Sequence, residues 1–219
     1  MTSPPELYEA ARLRIVDLVR DADPAAPVQA CPDWTVKDVL AHLSSVAAGV
    51  ADGRLTEPPS EAWNAEQVAE RRSWSVQDCL AEWEATAARL TTAGARLLGP
   101  IAVVDAVSHE HDIRTALGRP GERDSDGVRL AVSAFLHTLR ARVRAAGLPA
   151  LRVVTEVKAT VLGDGEPAGT VRASSFELLR AISGRRTPDQ VRGLDWDGDP
   201  DIWLGVFFLL GPARAPVHE

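Results

Sequence analysis

The N-terminal part of the chain is a series of amphipathic segments in which apolar residues recur every three or four positions, the period of an α-helix. Residues 6–19 carry such a stripe, and Thr35 followed by Asp38 is the capping pair that predicts a second helix. A polar, proline-containing connection over 52–61 precedes a short helix expected at 62–72. Short connections of this kind place successive helices side by side.

Three longer helical segments follow. One is predicted from Ser75 to Leu98, with Gly99 and Pro100 ending it, and the next from Ile101 to Leu117. Residues 126–146 form the third, closed by a Gly-Leu-Pro sequence. Several long helices joined by short links predict a helical bundle.

The pattern changes from period 3.6 to β-rich runs after residue 149. Residues 151–155 and 169–173 are rich in β-branched side chains, and short helices are expected after Ser174 and after Thr187. The predicted fold class is therefore mainly α with an α+β appendage. The predicted domains are a helical bundle over 1–148 and a small α+β domain over 149–219.

Composition narrows the class of function. The 219 residues are 45% hydrophobic and 25% charged, an ordinary globular balance, and the net charge of −7 argues against a nucleic-acid partner. Two cysteines, Cys31 and Cys79, are too few for a disulfide scaffold. Without a signal peptide or an apolar run near the ~20 residues that span a bilayer, we expect a soluble, cytoplasmic protein with no membrane partner. The oligomeric state is left open.

A candidate metal site comes from three side chains on two helices. Asp105 and His109 are four residues apart, so their side chains lie one above the other on one helix face. His42 sits among apolar residues of the capped helix, where an imidazole needs a partner. Two histidines and one carboxylate leave coordination positions open, as catalytic rather than structural sites do. Only the fold can bring His42 to the other two.

Neighbouring polar residues offer alternatives to this set. Asp38 has the same spacing from His42, but it is the natural capping partner of Thr35. Glu110 and His111 point away from His109 around the helix, by about 100° and 200° respectively, and are excluded on geometry.

Further candidates remain open on sequence alone. Asp112 is placed either to orient the imidazole of His109 or to pair with Arg114 or Arg119. No residue adjacent to Cys31 supplies a base that would make it a nucleophile. Four arginines are candidates for binding an anionic substrate, although each is expected by default to be a solvated surface residue: Arg172, Arg180, Arg185 and Arg186.

Three segments of the chain carry a family resemblance. Residues 31–43, Cys-Pro-Asp-Trp-Thr-Val-Lys-Asp-Val-Leu-Ala-His-Leu, resemble the P-x-W-T-V-x-D-x-L-x-H-L signature of the mycothiol-dependent maleylpyruvate isomerase family, a branch of the DinB-like metalloenzymes. Residues 105–118 are similar to its second motif, which ends in Ala-Leu-Gly, and residues 176–186 to its Glu-Leu-Leu-x-x-x-x-Gly-Arg segment.

The resemblance implies a DinB-like four-helix bundle with a small C-terminal domain and a divalent metal, zinc foremost, on His42, Asp105 and His109. Asp112 would orient a ligand as part of the catalytic machinery. The family usually has Glu where Asp105 stands, and aspartate is shorter by one methylene.

The activity implied is an enzyme's. The metal would bind the sulfur of mycothiol, and the thiolate would add to a small electrophile, as an isomerase of the maleylpyruvate type or as a thiol S-transferase. The partners expected are therefore a low-molecular-weight thiol and a small electrophile. The alternatives are a metal-activated hydrolase that needs no thiol and a non-catalytic, ligand-binding bundle.

Overall fold

The computed structural model describes residues 2–90 and 95–219, and these form two compact units, Met1–Gly121 and Glu122–Glu219. Within the described residues, no helix is both long enough and apolar enough to cross a membrane. Each unit is built around its own buried core.

The first unit is helical. Its helices are α1 (Pro4–Val19), α2 (Val36–Ala51), α3 (Glu61–Glu70), α4 (Val76–Arg89) and α5 (Ala95–Ala116). Helix α1 packs on α5, and α2 packs on both α4 and α5, so these four form the predicted four-helix bundle, with α3 against α2.

The boundaries of α2 follow from local chemistry. The Thr35 side chain accepts a hydrogen bond from the backbone N–H of Asp38, and the Asp38 carboxylate accepts one from the Thr35 backbone N–H at 2.9 Å, the reciprocal capping box that the sequence predicts. Val39 and Leu40 are fully buried in the bundle core. Capping fixes where the helix begins, and burial of this face fixes its rotation, which turns His42 inward.

One predicted helix boundary is wrong. The sequence predicts a helix that ends at Gly99 and Pro100, whereas α5 runs through Pro100 and ends before Gly118, which has a positive φ of 61°. Pro100 is the sixth residue of α5, so its missing N–H removes one helical hydrogen bond, but its fixed φ is compatible with the helix. Residues 91–94 of the predicted 75–98 helix lie outside the described residues, and 95–98 belong to α5.

The second unit combines helices with a sheet. Its elements are α6 (Asp126–Ala145), β1 (Leu151–Val154), β2 (Ala159–Leu162), β3 (Gly169–Arg172), α7 (Ser175–Ile182), α8 (Pro188–Arg192), β4 (Asp195–Asp197) and α9 (Asp201–Phe207). The strand order is β2-β1-β3-β4, with β1 and β3 parallel and the two outer pairs antiparallel. The sequence did not predict β2, β4 or α9.

The division between the units differs from the predicted boundary near residue 148. Helix α6 packs against α7, α9 and β2 and therefore lies in the second unit. Its apolar stripe, with Val128, Leu136 and Leu139 buried, covers one face of the small sheet domain. A sequence stripe shows that a helix face is buried but does not identify the surface that buries it.

Tight packing of Trp203 on Gly169 gives a first prediction. A Cβ atom placed at Gly169 would lie 2.6 Å from Cη2 of the fully buried Trp203 ring. Such overpacking costs about 1–3 kcal/mol, so Gly169→Ala should lower the free energy of unfolding by that amount. Gly205 in α9 meets nothing within 4 Å, so Gly205→Ala is the matched control. Chemical denaturation measures both, and equal stability of the two variants would contradict the packing.

Candidate metal centre

Three ligand-type atoms converge inside the first unit. Residue His42 projects from the middle of α2, while Asp105 and His109 project from successive turns of α5. Their ligating atoms all lie within 4.8 Å of one another. The imidazoles of His42 and His109 meet edge to face, with ring centroids 4.9 Å apart. The packing of α2 on α5 therefore brings together the three residues that the sequence singled out.

The spacing of these atoms suits a cation better than hydrogen bonds. Nε2 of His42 is 3.5 Å and Nε2 of His109 is 3.6 Å from Oδ1 of Asp105. Good N–H···O hydrogen bonds are about 2.7–3.2 Å long. Tetrahedral zinc with bonds of about 2.0–2.2 Å places its ligand atoms about 3.3–3.6 Å apart. The three residues thus fit a divalent metal.

The second nitrogen of His42 takes no part in the cluster. Nδ1 of His42 is buried and has no hydrogen-bond partner among the described residues. Coordination at Nε2 would leave Nδ1 as it is, so the case for a cation rests on the spacing of the three ligating atoms.

The cluster is open to solvent on one side. The side chain of Asp105 is 32% exposed, whereas those of His42 and His109 are 3% and 9% exposed. A site closed by buried protein ligands on all sides is structural, and one with an open position admits water or substrate. Access here is along the Asp105 side.

The second nitrogen of His109 is fixed by Asp112. Nδ1 of His109 lies 3.0 Å from Oδ2 of Asp112, whose side chain is completely buried. Burial lowers the pKa of His109, and the hydrogen bond to Asp112 opposes that shift. Because an ionised carboxylate only accepts, a neutral His109 carries its proton on Nδ1 and directs the Nε2 lone pair toward Asp105 and His42. Of the two roles that the sequence left open for Asp112, the structure has the imidazole contact.

Trp34 holds the two imidazoles from one side. Its ring centroid is 5.3 Å from that of His42 and 6.4 Å from that of His109, and the latter pair is nearly parallel. The indole comes from the segment just before α2 and is half-buried against the bundle core. It limits the rotation of both rings.

Cys31 joins the same neighbourhood, which sequence reasoning missed. Its sulfur lies 4.0 Å from Nδ1 of His109 and donates to Oδ2 of Asp112 at 3.5 Å. The partners are about 80 residues away along the chain, so no local pattern could reveal them. The only available signal was the position of Cys31 in the segment that leads into α2.

The residues excluded by sequence geometry have other partners. Glu110 is fully buried and binds Arg14 of α1 and Arg114 of α5. Asp38 caps Thr35, as described above. Within the described residues, neither Glu110 nor His111 belongs to a group that could hold a metal.

The expectation that the four C-terminal arginines are solvated surface residues is wrong for three of them. Arg180 is completely buried and Arg185 and Arg186 nearly so. Arg180 and Arg186 bind the carboxylate of Glu219 at 2.6 and 2.8 Å. These side chains are buried because carboxylates and backbone carbonyls compensate their charge. Arg172 is exposed, as expected.

A second prediction concerns Asp112. Asp112→Asn keeps the shape of the side chain but removes the charge that orients His109, so zinc affinity should fall about 10-fold or more. Titration against a chelating indicator measures it. Cys31→Ser is the matched control, because it alters the other contact of Oδ2 and leaves the imidazole contact in place. Unchanged affinity in Asp112→Asn would contradict the orienting role.

The chain is similar to known proteins in its N-terminal sequence and in its fold. Residues 8–98 match the family model described as the mycothiol maleylpyruvate isomerase N-terminal domain. A crystal structure of the mycothiol-dependent maleylpyruvate isomerase superposes with a TM-score of 0.62 at 16% identity, covering 90% of this chain and 96% of that one. A structure of its histidine-to-alanine mutant gives 0.59 at 15% identity with the same coverage. No curated protein matches the sequence.

The family match confirms the resemblance carried by residues 31–43, while residues 105–118 and 176–186 lie outside the matched segment. The superposition confirms the expected fold class. The matched segment contains α2 and His42, and by its description the family is one of enzymes, which agrees with the expectation of an enzyme.

Proposed function

We propose, on the premise that residues 8–98 form a mycothiol maleylpyruvate isomerase N-terminal domain, that this chain is a metal-dependent enzyme that uses a low-molecular-weight thiol of the mycothiol type on a small electrophile. The proposed reaction takes one of two forms: isomerisation of a maleylpyruvate-like substrate, or transfer of the thiol to an electrophile. The convergence of His42, Asp105 and His109 within 4.8 Å is the observation that carries the proposal.

The metal ligands in this proposal are Nε2 of His42, Oδ1 of Asp105 and Nε2 of His109. When bound, a divalent cation such as Zn²⁺ acts as a Lewis acid that favours the thiolate form of a thiol at neutral pH. The carboxylate of Asp105 supplies the negative charge of the ligand set, and its exposed side leaves room for the sulfur.

The surrounding side chains hold these ligands in place. Asp112 fixes the tautomer of His109, and Trp34 restricts rotation of both imidazoles. A ligand set that is ordered before the metal arrives loses little entropy on binding. The aromatic ring also excludes water from one side of the cluster.

The two forms of the reaction differ in what happens to the thiol. In isomerisation, the sulfur adds to one carbon of a cis double bond, the resulting single bond rotates, and elimination of the thiol leaves the trans double bond. The thiol is regenerated. In S-transfer, one thiol is consumed for each electrophile converted.

The experiment that tests the proposal assays the zinc-loaded protein with maleylpyruvate and mycothiol. Turnover that needs both metal and thiol is the expected result, and thiol recovered unchanged identifies isomerisation. Thiol lost in proportion to product, with an alkylating electrophile in place of maleylpyruvate, identifies transfer. Turnover unaffected by omission of the thiol would overturn the proposal in favour of the hydrolase, and no turnover with any of these substrates would favour a binding bundle.

A further inference from the structure

The imidazole of His109 faces a second set of donors on the edge opposite the candidate metal centre. Cys31, His109 and Asp112, which we name the Cys31 cluster, place one ligand-type atom each within 4.8 Å of the others. Sγ of Cys31 is 4.0 Å from Nδ1 of His109 and 3.5 Å from Oδ2 of Asp112. Oδ2 of Asp112 is 3.0 Å from the same nitrogen.

We propose that the Cys31 cluster is a second cation site, selective for thiophilic ions such as Cd²⁺, and that its occupation withdraws His109 from the candidate metal centre. The site would make the protein sensitive to thiophilic metals through Cys31, which has no role in the proposed reaction.

The separations in the Cys31 cluster are close to those of a metal site. Zinc bonds of about 2.3 Å to sulfur and 2.0–2.2 Å to nitrogen or oxygen give tetrahedral ligand separations of about 3.3–3.7 Å, and a larger ion such as Cd²⁺ gives wider ones. Of the three observed separations, 3.5 Å lies within the zinc range, 3.0 Å is shorter and 4.0 Å is longer. On binding, the carboxylate of Asp112 therefore moves away from Nδ1 of His109. Thiolate sulfur favours soft ions, so this set selects Cd²⁺ over the harder cations that carboxylate oxygens prefer.

Charge and access also suit a cation. The carboxylate of Asp112 is fully buried and supplies negative charge, while Cys31 is half-exposed and gives a path from solvent. In the structure the thiol donates its hydrogen to Asp112. On binding, the S–H bond breaks, the sulfur lone pair forms the bond to the cation, and the proton leaves to solvent. No oxidation state changes.

Sharing of His109 makes the two sites mutually exclusive. A neutral imidazole has one N–H and one lone pair. With the lone pair on Nε2, His109 serves the candidate metal centre and donates from Nδ1 to Asp112. With the lone pair on Nδ1, it serves the Cys31 cluster instead. A cation in one site therefore needs the tautomer that the other site cannot use.

The test is a Cd²⁺ titration followed by the sulfur-to-cadmium charge-transfer absorption in the ultraviolet. In the wild type and in His42→Ala, the band should reach its full intensity at one Cd²⁺ per chain, and in Cys31→Ser it should not appear. Cys79→Ser is the matched control, because Cys79 is 1% exposed and burial raises the pKa of its thiol to about 11. It should keep the full band. Thermal unfolding shows that each variant is folded.

A band that survives in Cys31→Ser, or that is absent from the folded wild type, would overturn the second site. Mutual exclusion is tested by adding Cd²⁺ to protein loaded with Co²⁺, followed by the visible absorption of Co²⁺. The sulfur band should grow only as Co²⁺ is released, and full occupancy by both would overturn exclusion. This last arm rests on the proposed metal centre, whereas the sulfur band does not, so the failure of either proposal is distinguishable.

Discussion

Replacing Glu110 with alanine should lower the free energy of unfolding by about 3 kcal/mol, the low end of the cost of breaking a buried ion pair. Glu110 is fully buried and accepts two hydrogen bonds from Arg14 at 2.8 and 2.7 Å, which tie α5 to α1. A further bond at 2.9 Å comes from Arg114. The low end applies because both arginines are partly exposed, with side chains 25% and 13% accessible, and can regain some hydration.

Asp17→Ala is the matched control for this prediction. Asp17 lies on α1 and faces Arg20 at 3.7 Å with both side chains largely exposed, so stability should hardly change. Urea denaturation of the two variants measures the difference. A Glu110→Ala variant as stable as Asp17→Ala would show that the ion pairs of Glu110 with Arg14 and Arg114 do not hold α1 against α5.

Replacing Asp105 with alanine should lower zinc affinity by more than about 100-fold, beyond the loss from disturbing a residue that only orients a ligand. The substitution removes the charged ligand and leaves two neutral imidazoles. Asp105→Glu restores a carboxylate, so its affinity should lie closer to that of the wild type. The partly exposed position of Asp105 gives the longer side chain room.

Asp38→Ala controls for loss of a carboxylate elsewhere on the bundle. Asp38 precedes His42 by one turn but caps α2, so its loss should reduce stability and leave zinc affinity unchanged. Calorimetric titration with zinc measures all three variants. Equal affinity in Asp105→Ala and the wild type would remove Asp105 from the ligand set.

Local signals explain how much of the fold could be predicted. The helices that begin at Val36 and Ser175 follow capping residues whose chemistry is legible in the sequence, and both appear where expected. The strands Ala159–Leu162 and Asp195–Asp197 were missed because each is three or four residues long. Such segments become strands only through pairing with β1 and β3, which local periodicity does not report.

Some residues of the candidate site could likewise be predicted from local spacing, and others only from the fold. The spacing of Asp105 and His109 on one helix is local, so the pair could be proposed from sequence. The approach of His42 depends on α2 packing against α5, and the family motif supplied what spacing could not. Cys31 was missed because its contacts to His109 and Asp112 exist only in the folded chain. The burial of Arg180 likewise follows from its distant partner Glu219.

The metal content of the purified protein tests the central claim most directly. Protein stripped with a chelator, reloaded with zinc and freed of excess metal is measured by elemental mass spectrometry, alongside His42→Ala and His109→Ala treated identically. We predict about one zinc per wild-type chain and a large loss of zinc in both variants, each still folded by circular dichroism. A wild type that stays metal-free after reloading, or variants that retain its full complement, would contradict the proposed centre.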